Sequence, residues 1–237
     1  MALLAGERTF EERVFDLLDV AEYRAMESHE DREAAFRLRH DAYLRSGYID
    51  EDPDGISMDF LDEKPNTKTF GLFIAKKLVA SVRVSVLTNE CQFAPSTIYN
   101  LETLKPGLDA GKVYIDPSRF VTDAVAAREF PELPYLTIRI PAMACEHYEA
   151  DECLASVRLT HQAFYRRVFR SQPIADPIEY KMLNMTIQLM STTVQVIRDD
   201  VARRYPFFRS TYLERRALFG PSILMPGIEQ ERVAIAA

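Results

Sequence analysis

The sequence predicts an α/β (α+β) domain, a mixed and mostly antiparallel central sheet with helices packed on it. Three observations carry that expectation. Val82, Val84 and Val86 alternate with Ser81, Arg83 and Ser85, the two-residue period of a strand with one apolar and one polar side. Ala34, Ala35, Leu38 and Ala42 recur at helical spacing behind Ser28 and Asp31, which resemble a capped helix start. Pro117 interrupts the strand-like run Val113–Thr122, as prolines do at sheet edges and bulges.

The helix is expected from about His29 to Arg45, ending at Gly47, with Arg39 and Tyr43 four apart on one face. Asp50–Pro65, rich in Asp, Glu, Gly and Pro, reads as a long exposed connection. Phe70–Ala75 and Leu78–Leu87 flank Lys76 and Lys77 as two antiparallel strands joined by a tight turn, with Arg83 on the polar side of the second. In Val113–Thr122, strict alternation puts Asp116 and Arg119 on opposite sides. A bulge at Pro117 adds one residue, brings the two together for pairing, and frees backbone N–H groups for a ligand carbonyl. Pro134–Tyr148 reads as a helix with Pro141 as a point for a kink. Cys153–Val157 suits a short buried strand, Leu159–Arg170 a helix carrying His161 and Tyr165, and Leu183–Leu189 a strand.

The 237 residues suffice for one large domain or two small ones, and 47% hydrophobic with 27% charged residues is ordinary for a globule. No uncharged apolar run reaches membrane-span length, and the apolar patch at Met1–Ala5 is too short for a signal peptide, so a cytoplasmic setting is expected. Cys91, Cys145 and Cys153 lack metal-ligand spacing, as do His29, His40, His147 and His161, so no metal site is expected. A net charge of −7 argues against nucleic acid as the main partner. Between Gly111 and Gly220 there is no glycine, which excludes a phosphate-cradling loop or dinucleotide fingerprint there, and no Gly-x-Ser-x-Gly elbow occurs.

Two charge patterns remain. Arg39, Asp59, Asp62, Arg83, Asp116 and Arg119 fall largely in half-buried elements, where an unpaired charge costs several kcal/mol. Gathered by the fold, they would hold a small zwitterion; alternatively they form a structural network tying Asp50–Pro65 to the sheet. From Cys153 to Ala175 no acidic residue occurs, while Arg158, Arg166, Arg167 and Arg170 all lie there. That stretch is either a solvated basic face or a dock for an acidic macromolecule such as an acyl carrier protein.

In order, these segments resemble the acyl-homoserine-lactone synthases. Arg39-His40-Asp41-Ala42-Tyr43 with Gly47-Tyr48 is similar to their Arg-x-x-x-Phe…Gly-Trp opening, and Asp59-Phe60-Leu61-Asp62 to their acidic pair. Ala80-Ser81-Val82-Arg83-Val84 resembles their Gly-x-x-Arg-Leu strand, and Asp116-Pro117-Ser118-Arg119-Phe120-Val121 their Glu-x-Ser-Arg-Phe-x strand. The resemblance spans Arg24–Val121 and implies a GCN5-related N-acyltransferase (GNAT-like) fold, with a splay between the middle strands and helices on both faces. Phosphopantetheine would thread that opening, with Val121 and Thr122 offering it backbone groups. The donor it implies is an acyl carrier protein thioester, or acyl-CoA, with no permanently bound cofactor, and the acceptor a small-molecule amine. Residues 1–220 would form one N-acyltransferase domain and 221–237 a surface tail.

Departures from the lactone-synthase pattern sit at Tyr43, Tyr48 and Asp116, where Phe, Trp and Glu are usual. The segment Leu159–Tyr165 looks more like the N-acyl amino acid synthase branch. The expected reaction is therefore acylation of an amino acid amine, with lactone synthesis from S-adenosylmethionine as the alternative. Asp59 or Asp116 would be the base or would grip the ammonium group. Arg39, Arg83 and Arg119 would orient carboxylates or bind a substrate carboxylate, with Asp62, Tyr43, Tyr48 and Ser118 as further substrate-binding residues. Tyr165 would protonate the departing thiolate or simply fill the core. A non-catalytic carrier-binding module and a CoA-dependent acyltransferase of small metabolites are the remaining readings.

Overall fold

The computed structural model describes residues 8–183 and 185–220. Its elements run α1 (Phe10–Val20), β1 (Ala21–Ala25), α2 (His29–Arg45), β2 (Thr67–Ile74), β3 (Lys77–Leu87), α3 (Pro95–Asp109), β4 (Tyr114–Thr122), α4 (Ala124–Glu129), α5 (Leu133–His147), β5 (Glu152–Arg158), α6 (Gln162–Phe169), β6 (Gln172–Pro173), β7 (Ile178–Tyr180) and β8 (Met185–Thr193). A further helix spans Tyr212–Phe219. The strands form one sheet in the order β1-β2-β3-β4-β5-β8-β6, with β7 also paired to β8. All pairs are antiparallel except β4 with β5. The expected tail, 221–237, lies outside the described residues, and none of their helices is long and apolar enough to cross a membrane.

Local chemistry explains the elements that position the site. Ser28 caps α2, its hydroxyl accepting from Asp31 N at 3.0 Å, and Gly47 takes a positive φ of 68° just past the helix end. The β2–β3 hairpin turns on Ala75 and Lys76, both at positive φ, one residue earlier than the lysine pair expected from sequence. Val82, Val84 and Val86 point into the main core, which α5 supplies with Leu133, Leu136 and Ile140. The opposite side of the sheet carries α2, packed through Ala42 and Tyr43 against Val121. Helices therefore cover both faces.

Three expectations need correction. The Leu159–Arg170 helix is a 3-10 turn, Leu159–His161, followed by α6, which ends at Arg170 in a left-handed conformation. The last strand starts at Met185 rather than Leu183, because Lys181–Leu183 forms a 3-10 turn, and it continues to Thr193. α5 continues as one helix through Pro141.

The sheet opens at its centre. β4 and β5 run parallel but pair only at Tyr114–Glu152 and Ile115–Cys153. Beyond those two rungs the strands diverge, so the facing edges of Asp116–Thr122 and Leu154–Arg158 have no ladder partner across the gap.

The candidate active site

Five of the six charges meet on the polar side of β3. Arg39 Nη1 donates to both oxygens of Asp62, at 3.1 and 2.9 Å. Arg83 Nη1 lies 3.2 Å from Asp62 Oδ2 and donates to Asp59 Oδ1 at 2.7 Å. Asp59 Oδ2 accepts from Arg119 Nε at 3.1 Å and Nη2 at 2.5 Å. The result is one alternating chain, Arg39–Asp62–Arg83–Asp59–Arg119, with Arg39 and Arg83 wholly buried.

The spacing of the two aspartates has a local cause. Asp59 caps a 3-10 turn, Phe60–Glu63, and Asp62 lies within it, the two forming a capping box: Asp59 Oδ1 accepts from Leu61 N at 2.8 Å, and Asp62 Oδ2 from Asp59 N at 2.9 Å. Leu61 is buried beneath the turn, and Arg39 also donates to Ser57 O at 3.3 Å and to Thr69 Oγ1 at 3.1 Å. The far end of the Asp50–Pro65 connection is thus pinned to the sheet by the same ions, so the expected tether and the charge cluster are one object. Burial raises the Asp59 carboxyl, but the Arg83 and Arg119 guanidiniums outweigh it and hold it at about 2.

Asp116 stands apart, which corrects the expected Asp116–Arg119 pair. The register skips between Ser81 and Arg83, leaving Arg119 and Phe120 together opposite Val82, while Pro117 stays in register opposite Val84. The bulge therefore lies at Arg119, at φ 54°, and not at the proline. It does turn Arg119 to the side of Arg83, where Asp59 takes it. Asp116 instead points under α3, its Oδ2 accepting from Ser96 N at 3.0 Å while Oδ1 has no partner. Complete burial pushes its carboxyl up, against the pull of Ser96 and Arg83.

A cavity of about 390 Å³ passes through the split sheet. On the α2 side its wall includes Tyr43, Tyr48, Ser118 and Arg119; on the α5 side it reaches Pro141, Tyr165 and Phe169. Val121, Thr122 and the whole run Cys153–Arg158 border it between these ends. Of the six charges only Arg119 lines it; Arg39, Asp59, Asp62, Arg83 and Asp116 lie behind that wall. Ser118 accepts from Arg83 Nε at 3.1 Å, a hydrogen-bonded hydroxyl without a base beside it. Among the described residues the lining holds Arg45, Arg119 and Arg158 and no Asp or Glu.

Arg158 is displaced from its expected place in a basic docking face. It is the last residue of β5, half-buried in the cavity wall, donating to the Tyr48 hydroxyl and lying 2.8 Å from His161 Nε2. Arg166 and Arg167 are exposed on α6, and Arg170 pairs with Asp200 at 3.0 Å. Sequence reasoning grouped the four because all fall in the acid-free stretch. The signal that separates Arg158 is its place at the end of a strand rather than on the following helix. Arg45, whose Nη2 donates to Thr122 O at 3.4 Å, had no such signal. Burial lowers His161, with Arg158 adding to the effect, and burial lifts the Tyr165 phenol to about 12. Among the described residues no cluster of His, Cys, Asp and Glu could hold a metal ion.

Comparison with known proteins gives this geometry a context. The sequence profile of the N-acyl amino acid synthase FeeM matches residues 34–193. The solved structure of FeeM, an N-acyl amino acid synthase from uncultured soil microbes, superposes with a TM-score of 0.62 at 18% identity, over 74% of this chain and 91% of that one. The CoA-dependent acyl-homoserine lactone synthase BjaI, solved with SAM and isopentyl-CoA, gives 0.58 at 17% identity over 78% and 90%. The AHL synthase LasI gives 0.56 at 10% identity over 74% and 89%. No curated protein sequence matches the chain.

Proposed function

The chain belongs to the FeeM family of N-acyl amino acid synthases and is an acyltransferase, and from that premise we propose that it moves a fatty acyl group from an acyl carrier protein thioester to the amine of an amino acid. The observation that carries this reading is the cavity through the split sheet, apolar toward α5 and lined by guanidiniums toward α2. A thioester threaded between β4 and β5 would find unpaired strand edges for its two amides. Its carbonyl would lie near the Arg119 bulge, where freed backbone N–H groups favour a developing oxyanion.

The amine must lose a proton before it attacks. Asp59, held at about 2 and occupied by two guanidiniums, is a poor base. Asp116 is better matched in proton affinity but does not line the cavity. The cationic wall offers another route: nearby positive charge disfavours an ammonium group, so the amine is bound in its neutral, nucleophilic form. In this reading Asp59 and Asp62 position Arg119 rather than take the proton. Tyr165 donates a hydrogen bond to the departing thiolate, which takes up the proton that the attacking nitrogen sheds and leaves as the thiol. Its phenol, at about 12, is too weak an acid to give up its proton to a thiolate whose reference value is about 8.5.

The missing glycine loop favours a carrier protein over free CoA, and exposed Arg166 and Arg167 suit its acidic surface. A lining that among the described residues carries three arginines and no carboxylate disfavours the sulfonium of S-adenosylmethionine. The test is to give purified enzyme acyl carrier protein or CoA thioesters with a panel of amino acids and S-adenosylmethionine. Thiol release and mass spectrometry would report the products. N-acyl amino acids are expected; lactone as the sole product, or no thiol release, overturns the proposal.

A further inference from the structure

Two guanidiniums stand on two tyrosine rings along the α2 side of the cavity. Arg119 lies 5.6 Å from the centroid of Tyr43, and Arg158 5.3 Å from that of Tyr48. The two rings are neighbours, 6.4 Å apart and inclined at 58°. The two cations differ in one respect. Arg119 spends Nε and Nη2 on Asp59. Arg158 has only neutral partners among the described residues, the Tyr48 hydroxyl and His161 Nε2. Because a guanidinium only donates, Nε2 of His161 must accept, so that imidazole is the neutral tautomer protonated on Nδ1.

A half-buried guanidinium without a counter-ion is expensive for a fold to keep. Here the surroundings prepare it for an anion. Tyr48 and His161 fix its plane, and among the described residues no acidic side chain lines the cavity to compete for it. An amine donor that enters the cavity as a neutral nucleophile but carries a carboxylate would supply the missing charge. A fork of parallel N–H groups matches a carboxylate and orients it as well as binding it.

The geometry points to Arg158, oriented by Tyr48 and His161, as the carboxylate-binding residue of the acceptor subsite. This rests on the amino acid reading of the site and adds which residue selects for the acid group. It removes Arg158 from any carrier-docking role. It also makes Arg158 a specificity determinant: the enzyme prefers an amino acid to the amine left when that amino acid loses its carboxylate.

The experiment compares wild type with Arg158→Ala and Arg158→Lys, using an amino acid that wild type acylates and the decarboxylated amine of that amino acid. Losing a charge-assisted fork raises the KM of R158A for the amino acid by about 10- to 100-fold. KM for the acyl donor stays unchanged, and the preference over the decarboxylated amine disappears. R158K, with charge but no fork, recovers part of that preference. Thermal unfolding of both variants separates this effect from a folding defect, and Tyr48→Phe provides a milder loosening of the same side chain. An unchanged acceptor KM in folded R158A, Y48F and R158K overturns the carboxylate subsite, as does a rise confined to the acyl donor. Failure of wild type to acylate any amino acid overturns the underlying functional reading instead.

Discussion

Asp59 and Arg119 are 60 residues apart in the chain, yet Oδ2 of the first accepts from Nη2 of the second at 2.5 Å. That contact fastens a loop carboxylate to the bulged residue of β4 and fixes the only member of the charge chain that reaches the cavity. The same carboxylate holds Arg83 through its other oxygen at 2.7 Å.

Removing the Asp59 charge leaves Arg39 and Arg83 sharing Asp62, and Arg119 with no anion among the described residues. Asp59→Asn is expected to lower unfolding free energy by about 3 kcal/mol. Because Arg119 loses its anchor, kcat/KM should fall as well. Urea unfolding of the variant checks the first effect, and a midpoint equal to wild type would mean the chain of ions adds nothing to the fold.

The two separated aspartates give opposite acid responses. Asp59 drops from an ordinary 3.8 to about 2 on folding, so its stabilising share is complete above about pH 4. That share, about 2 kcal/mol, is lost as pH falls toward 2. Asp116 is raised on folding, so its ionisation costs stability as pH climbs through its folded value. Asp116→Asn keeps the acceptor for Ser96 N and should be at least as stable as wild type at neutral pH. Unfolding midpoints from acid to neutral pH for both Asn variants should show D59N flattening the acid limb and D116N steepening it.

Tyr165→Phe tests the hydrogen bond assigned to the phenol. A donor that only solvates a thiolate leaves kcat within about tenfold of wild type, whereas general-acid catalysis contributes about 10²- to 10⁴-fold. Single-turnover thiol release measures the chemical step directly, and a loss in the larger range would return the role of acid to Tyr165.

The exposed pair on α6 is expected to act on encounter with the donor. Arg166→Glu with Arg167→Glu should reduce kcat/KM for acyl carrier protein by about tenfold while sparing acyl-CoA, and the difference should shrink at high salt. Equal loss on both donors would remove the carrier surface from α6.

Patterns of local period were legible in the sequence. The helix His29–Arg45 follows from Ser28 and its alanine spacing, and β3 from alternating valines, because caps and side-chain periods act between near neighbours. α1 carried an equally local signal, Thr9 with Glu12, a capping box in which each satisfies the other's backbone. The three-residue spacing of Asp59 and Asp62 also had a local meaning, since it caps a turn. Their partners did not, because ion pairs across 24 and 60 residues depend on where strands and loops come to lie.

The residue order by itself determined the kinds of element, the family motifs and the inventory of charges, all of which depend on identity and spacing. Tertiary structure alone decided that Asp116 is sealed under α3, that the bulge falls at Arg119, and that Arg158 lines the cavity. A strand's register and a side chain's exposure are set by packing between distant segments, where burial turns a small shift in position into a large change in the cost of a charge.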